Sequence, residues 1–218
     1  MNKMFTLLEL IVVVAILGVL VTLLMPSLSK ARKSALSAAC LGNLKQQGIA
    51  SYIYSDDNQE IFIVASNKWW NQIFWEYDYM PRNKAVMTCP SLEFNGDWQS
   101  ENYVTYGGVV DTGGGNLRDG YIKNANFKGA DSKQVESPDE FFLFTDSAKI
   151  NGDGILVQWV NIRWFSGPDA SGQRVHTRHN KSANVWFIDG HASGHRSGSL
   201  KKLGFNSGWT EGNVQVPY

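Results

Sequence analysis

The clearest hydrophobic pattern in the chain is an almost unbroken apolar run from Phe5 to Met25. Only Glu9, two threonines and one glycine interrupt it. As a helix, about 21 residues at ~1.5 Å each would extend roughly 31 Å, close to the hydrocarbon thickness of a bilayer. The pattern therefore predicts a transmembrane helix over residues 5–25.

Glu9 is unexpected in such a helix, because a carboxylate inside a membrane is costly and usually marks a function that needs a partner. A secretory signal peptide would have a shorter apolar core without a carboxylate, followed by a small-x-small cleavage site. The best site here is the weak Ser27-Leu28-Ser29. A simple membrane anchor explains the length of the run but leaves Glu9 without a purpose.

From Ser27 the pattern becomes amphipathic. Residues at helical spacing form one stripe, with two isoleucines widening it: Leu41, Leu44, Gly48, Tyr52, Ile49 and Ile53. Pro26 is expected to kink or loosen the helix, and the short polar residues at 55–58 are expected to end it. We therefore expect residues 26–58 to be the amphipathic half of one long helix, packed by one face on the rest of the chain.

Residues 59–218 show short apolar runs separated by turn signals. The run at 140–145 predicts a strand covered on both faces, and 151–154 predicts a tight turn. The run at 183–188 predicts another strand. Asp189-Gly190 indicates a two-residue hairpin turn after it, with a return strand through 191–193. The expected fold is α+β, with a long helix packed on an antiparallel β-sheet head.

An aromatic cluster lies between the helix and Cys89. Its members are Trp69, Trp70, Phe74, Trp75, Tyr77 and Tyr79. Such a cluster could stack against sugars or another polymer, or it could pack into the core, since Trp and Tyr bury a large area and keep a polar handle. We favour the core interpretation.

The charge composition gives little sign of a nucleic-acid partner. Twenty basic residues balance twenty acidic ones, whereas a nucleic-acid surface usually shows a basic excess or patch. Charges beside the apolar run leave its topology ambiguous. More basic residues follow the run than precede it, which on the positive-inside rule alone favours a cytoplasmic carboxyl-terminal side.

All four histidines fall near the carboxyl terminus: His176, His179, His191 and His195. With Asp189 they suggest a metal site, but side chains alternate along a strand, so at most two or three of these groups could converge. We favour a structural role, in which Asp189 accepts amides of its own turn and His179 reaches Asp189 or a nearby carbonyl. The sequence shows no Ser-His-Asp or Cys-His arrangement, so we do not expect an enzyme.

Several motifs resemble one known family. The run Phe5-Thr6-Leu7-Leu8-Glu9-Leu10 resembles the start of mature type IV pilins and type II secretion pseudopilins. Later motifs resemble a pilin-like subfamily common in planctomycetes, verrucomicrobia and their relatives. They are Cys40-Leu41-Gly42-Asn43-Leu44-Lys45-Gln46-Gln47-Gly48, then Cys89-Pro90-Ser91, Asp146-Ser147, and His179 followed after nine residues by Asp189-Gly190-His191.

The resemblance implies a leader at residues 1–4, cleavage before Phe5 and N-methylation of the new amine. Met4 stands where the family usually has Gly. Glu9 would pair with the amino terminus of a neighbouring subunit. The implied partners are sibling subunits, a prepilin peptidase, an inner-membrane assembly platform and, before assembly, lipid.

Two further predictions concern cysteines and calcium. Cys40 and Cys89 are too few for a structural zinc site. They are either a disulfide, which needs an oxidising compartment, or two unrelated buried thiols. Asp146, Asn151 and Asp153 could bind Ca²⁺, as in some major pseudopilins, although their spacing does not fit an EF-hand. No other cofactor is expected.

We therefore expect a filament subunit of a type II secretion or type IV pilus-like system. It would be a single-pass bacterial inner-membrane protein with a cytoplasmic amino terminus and an exported head at residues 59–218. The main alternative is a membrane-tethered module that binds a polysaccharide or another polymer through the aromatic cluster. A metalloenzyme ranks third.

Overall fold

The computed structural model describes residues 6–92, 104–110, 121–123, 128–163, 172–212 and 214–218. Its longest element is α1 (Leu7–Asp57), which contains both the apolar run and the amphipathic stretch. The helix ends within the polar segment predicted to stop it. Helical structure continues through Pro26, so the lost backbone donor does not interrupt this long helix.

The chain divides into two compact units, Met1–Ala35 and Leu36–Tyr218. The described part of the first unit is helix alone. The second unit, called the head below, contains the carboxyl-terminal part of α1 and all the other elements.

In its described residues, the head is built mostly of short strands with three small helices and a 3₁₀ turn at Ser132–Gln134. In chain order its elements are β1 (Ile61–Ala65), α2 (Trp70–Glu76), α3 (Lys84–Met87), β2 (Gly107–Val110), β3 (Tyr121–Lys123), β4 (Lys128–Asp131), β5 (Phe142–Thr145), β6 (Ser147–Ile150), β7 (Leu156–Val157), β8 (Asn161–Arg163), β9 (Arg174–Thr177), β10 (Ser182–Phe187), β11 (Ala192–Arg196), α4 (Ser197–Lys202), β12 (Ser207–Thr210) and β13 (Gln215–Pro217).

The strands that the structure describes form three sheets. One has the order β1-β4-β3, a second β11-β10-β5-β2-β8, and a third β13-β12-β9-β6-β7. Most neighbouring strands are antiparallel, but β2 with β8 and β9 with β12 pair in parallel. The α+β prediction is therefore confirmed, with a sheet architecture that is mixed rather than purely antiparallel.

One face of α1 packs on strand β10 of the second sheet. Side chains alternate along a strand, and two positions of β10 that share a face, Asn184 and Trp186, both meet the helix. Asn184 Nδ2 donates to the Ser37 carbonyl at 3.4 Å. A Cβ on Gly48 would lie 2.1 Å from Trp186 Nε1. The absence of a side chain at Gly48 is therefore what lets the indole reach the helix.

The buried stripe of α1 differs from the predicted one. Its fully or nearly fully buried members are Cys40, Leu44, Gln47, Gly48, Ala50, Ser51 and Ser55. Ile49 and Ile53, expected to widen the stripe, are instead 59% and 50% exposed. Small and polar residues occupy the docking face because β10 and the segment around α3 approach the helix closely there.

The predicted strand at 140–145 corresponds to β5, whose four residues are all buried as expected. The turn at 151–154 is also confirmed, since Gly154 N–H donates to the Asn151 carbonyl at 3.1 Å. The hairpin between β10 and β11 is present, but its loop has three residues. Gly190 N–H closes a turn to the Phe187 carbonyl, and Phe187 N–H pairs with the His191 carbonyl. Gly190 adopts φ +93°, which suits glycine in the third loop position.

Candidate functional site

The apolar part of α1 is exposed throughout its described length. Every Leu, Ile, Val and Met side chain from Leu7 to Leu28 is at least 47% exposed. An isolated soluble chain rarely shows an apolar patch of this extent, so such a surface marks contact with a membrane or a protein. By length and composition this helix could span a membrane.

Glu9 lies in the first turn of this helix and caps it. Its Oε2 accepts the Thr6 backbone N–H at 2.9 Å and the Thr6 hydroxyl at 2.8 Å. In return, Glu9 N–H donates to Thr6 Oγ1 at 3.2 Å. This reciprocal pair is a capping box, which satisfies helix-end donors within the chain. Met4 and Phe5, the predicted processing residues, lie outside the described residues.

The capping box gives Glu9 a partner that the sequence analysis did not consider. The Thr-x-x-Glu spacing at 6–9 was the signal that could have revealed it. Both bonds from Thr6 reach Oε2, and no described residue donates to Oε1. The carboxylate therefore has a local structural role and keeps one oxygen available.

The motif from Cys40 to Gly48 forms the docking face of α1 at successive helical turns. Asn43 Nδ2 donates to the Ala85 carbonyl at 2.8 Å and to the Thr88 carbonyl at 3.2 Å. Gln47 Nε2 donates to the Val86 carbonyl at 3.1 Å. The two amides thus bind backbone carbonyls in and beside α3, which would otherwise be left without donors in a partly buried interface.

The predicted disulfide is confirmed: Cys40 and Cys89 are bonded, with their Cα atoms 5.0 Å apart. His179 lies directly beside it, with Nε2 3.4 Å from Cys89 Sγ. The same nitrogen is 3.2 Å from Asp146 Oδ2. All four residues are buried, so the disulfide, the imidazole and the carboxylate form one enclosed centre, called the His179 centre below.

Asp146 occupies the single position between β5 and β6, where the chain passes from the second sheet to the third. Its carboxylate accepts Asn184 N–H of β10 at 2.7 Å, and its carbonyl accepts His176 N–H of β9 at 2.9 Å. His179 follows β9, and the chain returns to the second sheet through β10. The His179–Asp146 contact therefore joins the two places where the chain changes sheets.

A buried arginine, which the sequence analysis missed, balances the charge of Asp146. Arg178 Nε lies 3.9 Å from Asp146 Oδ1, and its Nη2 donates to the Ser147 carbonyl. Burial opposes ionisation of Asp146, but the positive charge of Arg178 and the contact with His179 outweigh it and hold the pKa of Asp146 below its usual range. In the sequence, only the adjacent basic residues Arg178 and His179 near a strand end indicated a buried charge cluster at this place.

Of the two partners expected for His179, Asp189 is wrong, since the His179 side chain contacts Asp146 and Cys89. Asp189 instead accepts His191 N–H at 3.0 Å and lies 2.6 Å from His191 Nδ1. It accepts an amide of its own turn, as predicted. The hydroxyl of Tyr52 on α1 donates to the Ile188 carbonyl beside this turn. The two ends of the motif thus have separate tasks: His179 joins the sheets, and the Asp189-Gly190 turn packs against α1.

The four histidines do not gather around a common point. His176 Nε2 lies 2.9 Å from the Thr210 carbonyl, and burial together with Arg178 lowers the pKa of His176 to about 3. His195 Nε2 lies 2.8 Å from the Ser193 hydroxyl. Among the described residues, one group of three metal-ligating side chains converges, Cys40, Cys89 and His179. Two of these are sulfurs joined in the disulfide and are not available as thiolates.

The calcium candidates occupy different environments. Asp146 is fully buried with the partners described above, whereas Asn151 and Asp153 lie on the turn between β6 and β7. Asn151 Oδ1 accepts Asp153 N–H at 3.1 Å and Ile155 N–H at 2.8 Å. The Asn151 side chain thus stabilises its own turn. A single ion held by all three residues does not fit this arrangement, which leaves the exposed turn as the remaining calcium candidate.

The aromatic cluster divides between the core and the surface. Trp70 and Phe74 are fully buried, and Trp70 Nε1 donates to the Val160 carbonyl at 3.1 Å. Tyr77 is 68% exposed. The core interpretation therefore holds for the residues on α2 that face inwards, but not for Tyr77.

No family model, curated protein or solved structure matches the chain. The resemblance to pilins consequently rests on the motifs quoted above.

Proposed function

We propose that this protein is a subunit of a type IV pilus-like or type II secretion filament, held in the membrane by α1 before assembly. The observation that carries the proposal is the uniformly exposed apolar surface from Leu7 to Leu28, on a helix that continues into a folded head. Such a surface needs lipid or other apolar helices around it. Packing against the same helix of sibling subunits would supply the second environment.

Glu9 supports assembly rather than simple anchoring. Capping uses Oε2, so Oε1 can accept a second donor. A carboxylate at the edge of an apolar span is most stable beside a positive charge. The amine of a neighbouring subunit, freed by cleavage before Phe5, would provide that charge and fix the axial position of one subunit against the next.

A substitution can separate the capping role from the charge-pairing role. Glu9→Gln keeps a side chain that suits the third position of a capping box but removes the negative charge. Filament formation should be lost in Glu9→Gln and in Glu9→Ala. Crosslinking in cells and pelleting of sheared filaments measure it. Thr6→Val removes the capping hydroxyl and keeps the charge, so it should still assemble.

If Glu9→Gln assembles as well as the unsubstituted protein while Thr6→Val fails, Glu9 acts only as a cap and the proposed charge pair is rejected. Processing is tested separately by mass spectrometry of the amino terminus. The expected species begins with N-methyl-Phe5. Met4→Gly, which restores the residue usual in the family, should give the same terminus at least as completely.

The disulfide supports an exported head. A buried Cys40–Cys89 bond forms and persists in an oxidising compartment rather than in the cytoplasm. This argues against the topology that counting basic residues alone would favour. We propose accordingly that the amino terminus is cytoplasmic and the head lies on the other side of the inner membrane.

The second candidate is a membrane-tethered binding module, for which the exposed ring of Tyr77 is the supporting observation. The two candidates respond differently to the loss of the charge at Glu9. A tethered module should keep its membrane location and its ligand after Glu9→Ala, whereas a filament subunit should fail to assemble.

A further inference from the structure

The head contains a cavity of about 380 Å³ that is open to solvent. It lies between the end of α1, strand β1 and α2. Tyr54, Tyr77 and Tyr79 provide its aromatic lining. We call it the tyrosine cleft. Its volume falls in the range of small-molecule sites, which combine apolar or aromatic walls with a few placed polar groups.

The aromatic wall of the cleft is held in a fixed arrangement. The rings of Tyr54 and Tyr79 pack edge to face with centroids 5.3 Å apart, and buried Phe74 lies behind both. Tyr79 OH donates to Asp57 Oδ2 at 3.1 Å. Tyr77, by contrast, is the most exposed large apolar or aromatic side chain among the described residues of the head. An ordered aromatic wall beside one exposed ring suits a ligand with flat C–H faces.

The polar groups of the cleft are two amides, the hydroxyls of Ser66 and the tyrosines, and one neutralised ion pair. Asn67 Oδ1 accepts the Ser66 hydroxyl at 2.9 Å, and no described residue binds its Nδ2. Lys68 Nζ lies 2.6 Å and 2.5 Å from the two carboxylate oxygens of Glu76. The lysine charge is therefore already paired, and the cleft offers no excess positive charge to an anionic ligand such as a phosphate.

The two segments beside the cleft have unusual backbone conformations. Gln59 and Glu60 follow Asn58 with φ of 60° and 64°, and Asp78 stands between Tyr77 and Tyr79 with φ 57°. Non-glycine residues rarely adopt this region, and such positions cluster at ligand-binding sites. The fold thus accepts a backbone cost at Asp78, between the rings of Tyr77 and Tyr79, and at the turn that follows Asn58.

From these features we infer that the tyrosine cleft binds a neutral glycan. The tyrosine rings would stack on the apolar faces of pyranose rings, while Asn67 Nδ2 and the exposed tyrosine hydroxyl would bind sugar hydroxyls. This property is independent of filament assembly. A filament built from such subunits would carry the cleft on each head.

The inference is tested on the detergent-solubilised full-length protein by calorimetric titration with three neutral probes: cellohexaose, chitohexaose and maltohexaose. At least one should bind saturably. Tyr77→Ala and Asn67→Ala should each weaken that binding by about tenfold. Tyr77→Phe, which keeps the ring, should weaken it less than Tyr77→Ala. Ile155→Ala removes another exposed apolar side chain elsewhere on the head and should leave affinity unchanged.

Thermal unfolding of each variant shows whether the head is intact. Because the substituted residues are exposed, the midpoint of thermal unfolding should not change. The inference is overturned if no neutral probe binds, or if binding is indifferent to Tyr77 and Asn67. It is also overturned if the cleft takes an anionic polymer such as alginate, or an unstructured peptide, in preference to all three glycans. None of these outcomes depends on whether Glu9 supports assembly.

Discussion

Asp146 is completely buried, and three groups around it are set to hold its charge: Arg178, His179 and the amide of Asn184. Taking a carboxylate out of water is expensive unless its partners are well placed. The same residue joins β5 to β6, so the charge lies at a fixed point of the chain path. Loss of Asp146 would leave Arg178 buried without this counter-charge.

We predict that Asp146→Ala destabilises the head by roughly 3–5 kcal/mol, because it leaves Arg178 buried without its counter-charge. His179→Ala should cost less, since Arg178 still pairs with Asp146. Urea denaturation of both variants, monitored by tryptophan fluorescence, measures the free energies of unfolding. A smaller loss for Asp146→Ala than for His179→Ala would contradict the assigned charge balance.

His176 gives the head a stability that depends on pH. Its pKa is about 3 in the folded state against an ordinary value of 6.5, because it is buried beside Arg178. Between these values the unfolded state binds the proton and the folded state does not. The free energy of unfolding should therefore fall on acidification below pH 6.5, by up to about 1.4 kcal/mol per pH unit.

The measurement is the urea midpoint at a series of pH values from neutral to about pH 4. His176→Gln keeps an amide donor towards the Thr210 carbonyl and cannot take up the proton, so its profile should be flatter over this range. Protonation of Asp146 removes its ion pair and destabilises the head only at still lower pH, because the pKa of Asp146 lies below its usual range. If the two profiles have the same slope near pH 5, His176 is not responsible for the acid sensitivity.

Gly48 provides a test of close packing with a matched control in the same helix. A Cβ at Gly48 would lie 2.1 Å from the Trp186 indole, whereas one at Gly42 has no described atom within 4 Å. We predict that Gly48→Ala destabilises the head by about 1–3 kcal/mol through overpacking. Gly42→Ala should be neutral or stabilising by up to about 1 kcal/mol, because alanine favours helix. Equal effects at both positions would contradict the contact with Trp186.

At the scale of elements, α1 and its docking face carry most of what could be predicted from sequence. The apolar run, the polar stop and the disulfide were predictable because each depends on local pattern or on cysteine chemistry. The exposure of Ile49 and Ile53 was not, because the docking face is chosen by small and amide-bearing residues that fit α3 and β10. Hydrophobicity alone therefore placed Ile49 and Ile53 in the buried stripe, whereas both are exposed.

The His179 centre was less predictable for a topological reason. His179 was expected to reach Asp189 or a nearby carbonyl and so tie an upstream loop to the hairpin. The real partner, Asp146, is brought to His179 by two passages of the chain between sheets. Strand order decides such a contact, and a single sequence does not reveal strand order when parallel and antiparallel pairs are mixed. The tyrosine cleft was hidden similarly, since β1 and α2 meet there only after folding.

The disulfide joins α1 to the segment after α3, two elements that otherwise meet through hydrogen bonds to backbone carbonyls. Closing a chain segment of 49 residues restricts the unfolded state, and such bonds typically contribute about 2–4 kcal/mol. We predict that the double variant Cys40→Ala, Cys89→Ala loses stability by this amount. A reducing agent should lower the urea midpoint of the unsubstituted protein and leave that of the double variant unchanged.

At the scale of the whole chain, the two units differ in how much of their apolar surface is exposed to solvent. The described helix before Leu36 exposes its apolar side chains, while the head has its own buried clusters around Trp186 and around Phe142. A compact core of this kind supports independent folding. The described residues of the amino-terminal unit form no such core, and on the proposed function they lie in lipid or against sibling helices. The two units should therefore be separable in solution.

We predict that a fragment beginning at Leu36 is soluble without detergent, monomeric and cooperatively folded. It retains Cys40, the docking face of α1 and the whole His179 centre, so its unfolding should remain sensitive to reducing agents. Sedimentation velocity and urea denaturation measure both properties. The full-length protein should need detergent or lipid, because its apolar helix surface would otherwise associate. If the fragment instead aggregates or fails to fold while the full-length chain is soluble without detergent, the apolar part of α1 belongs to the core of the fold. The proposed place of that helix in a membrane and then in a filament would have to be abandoned.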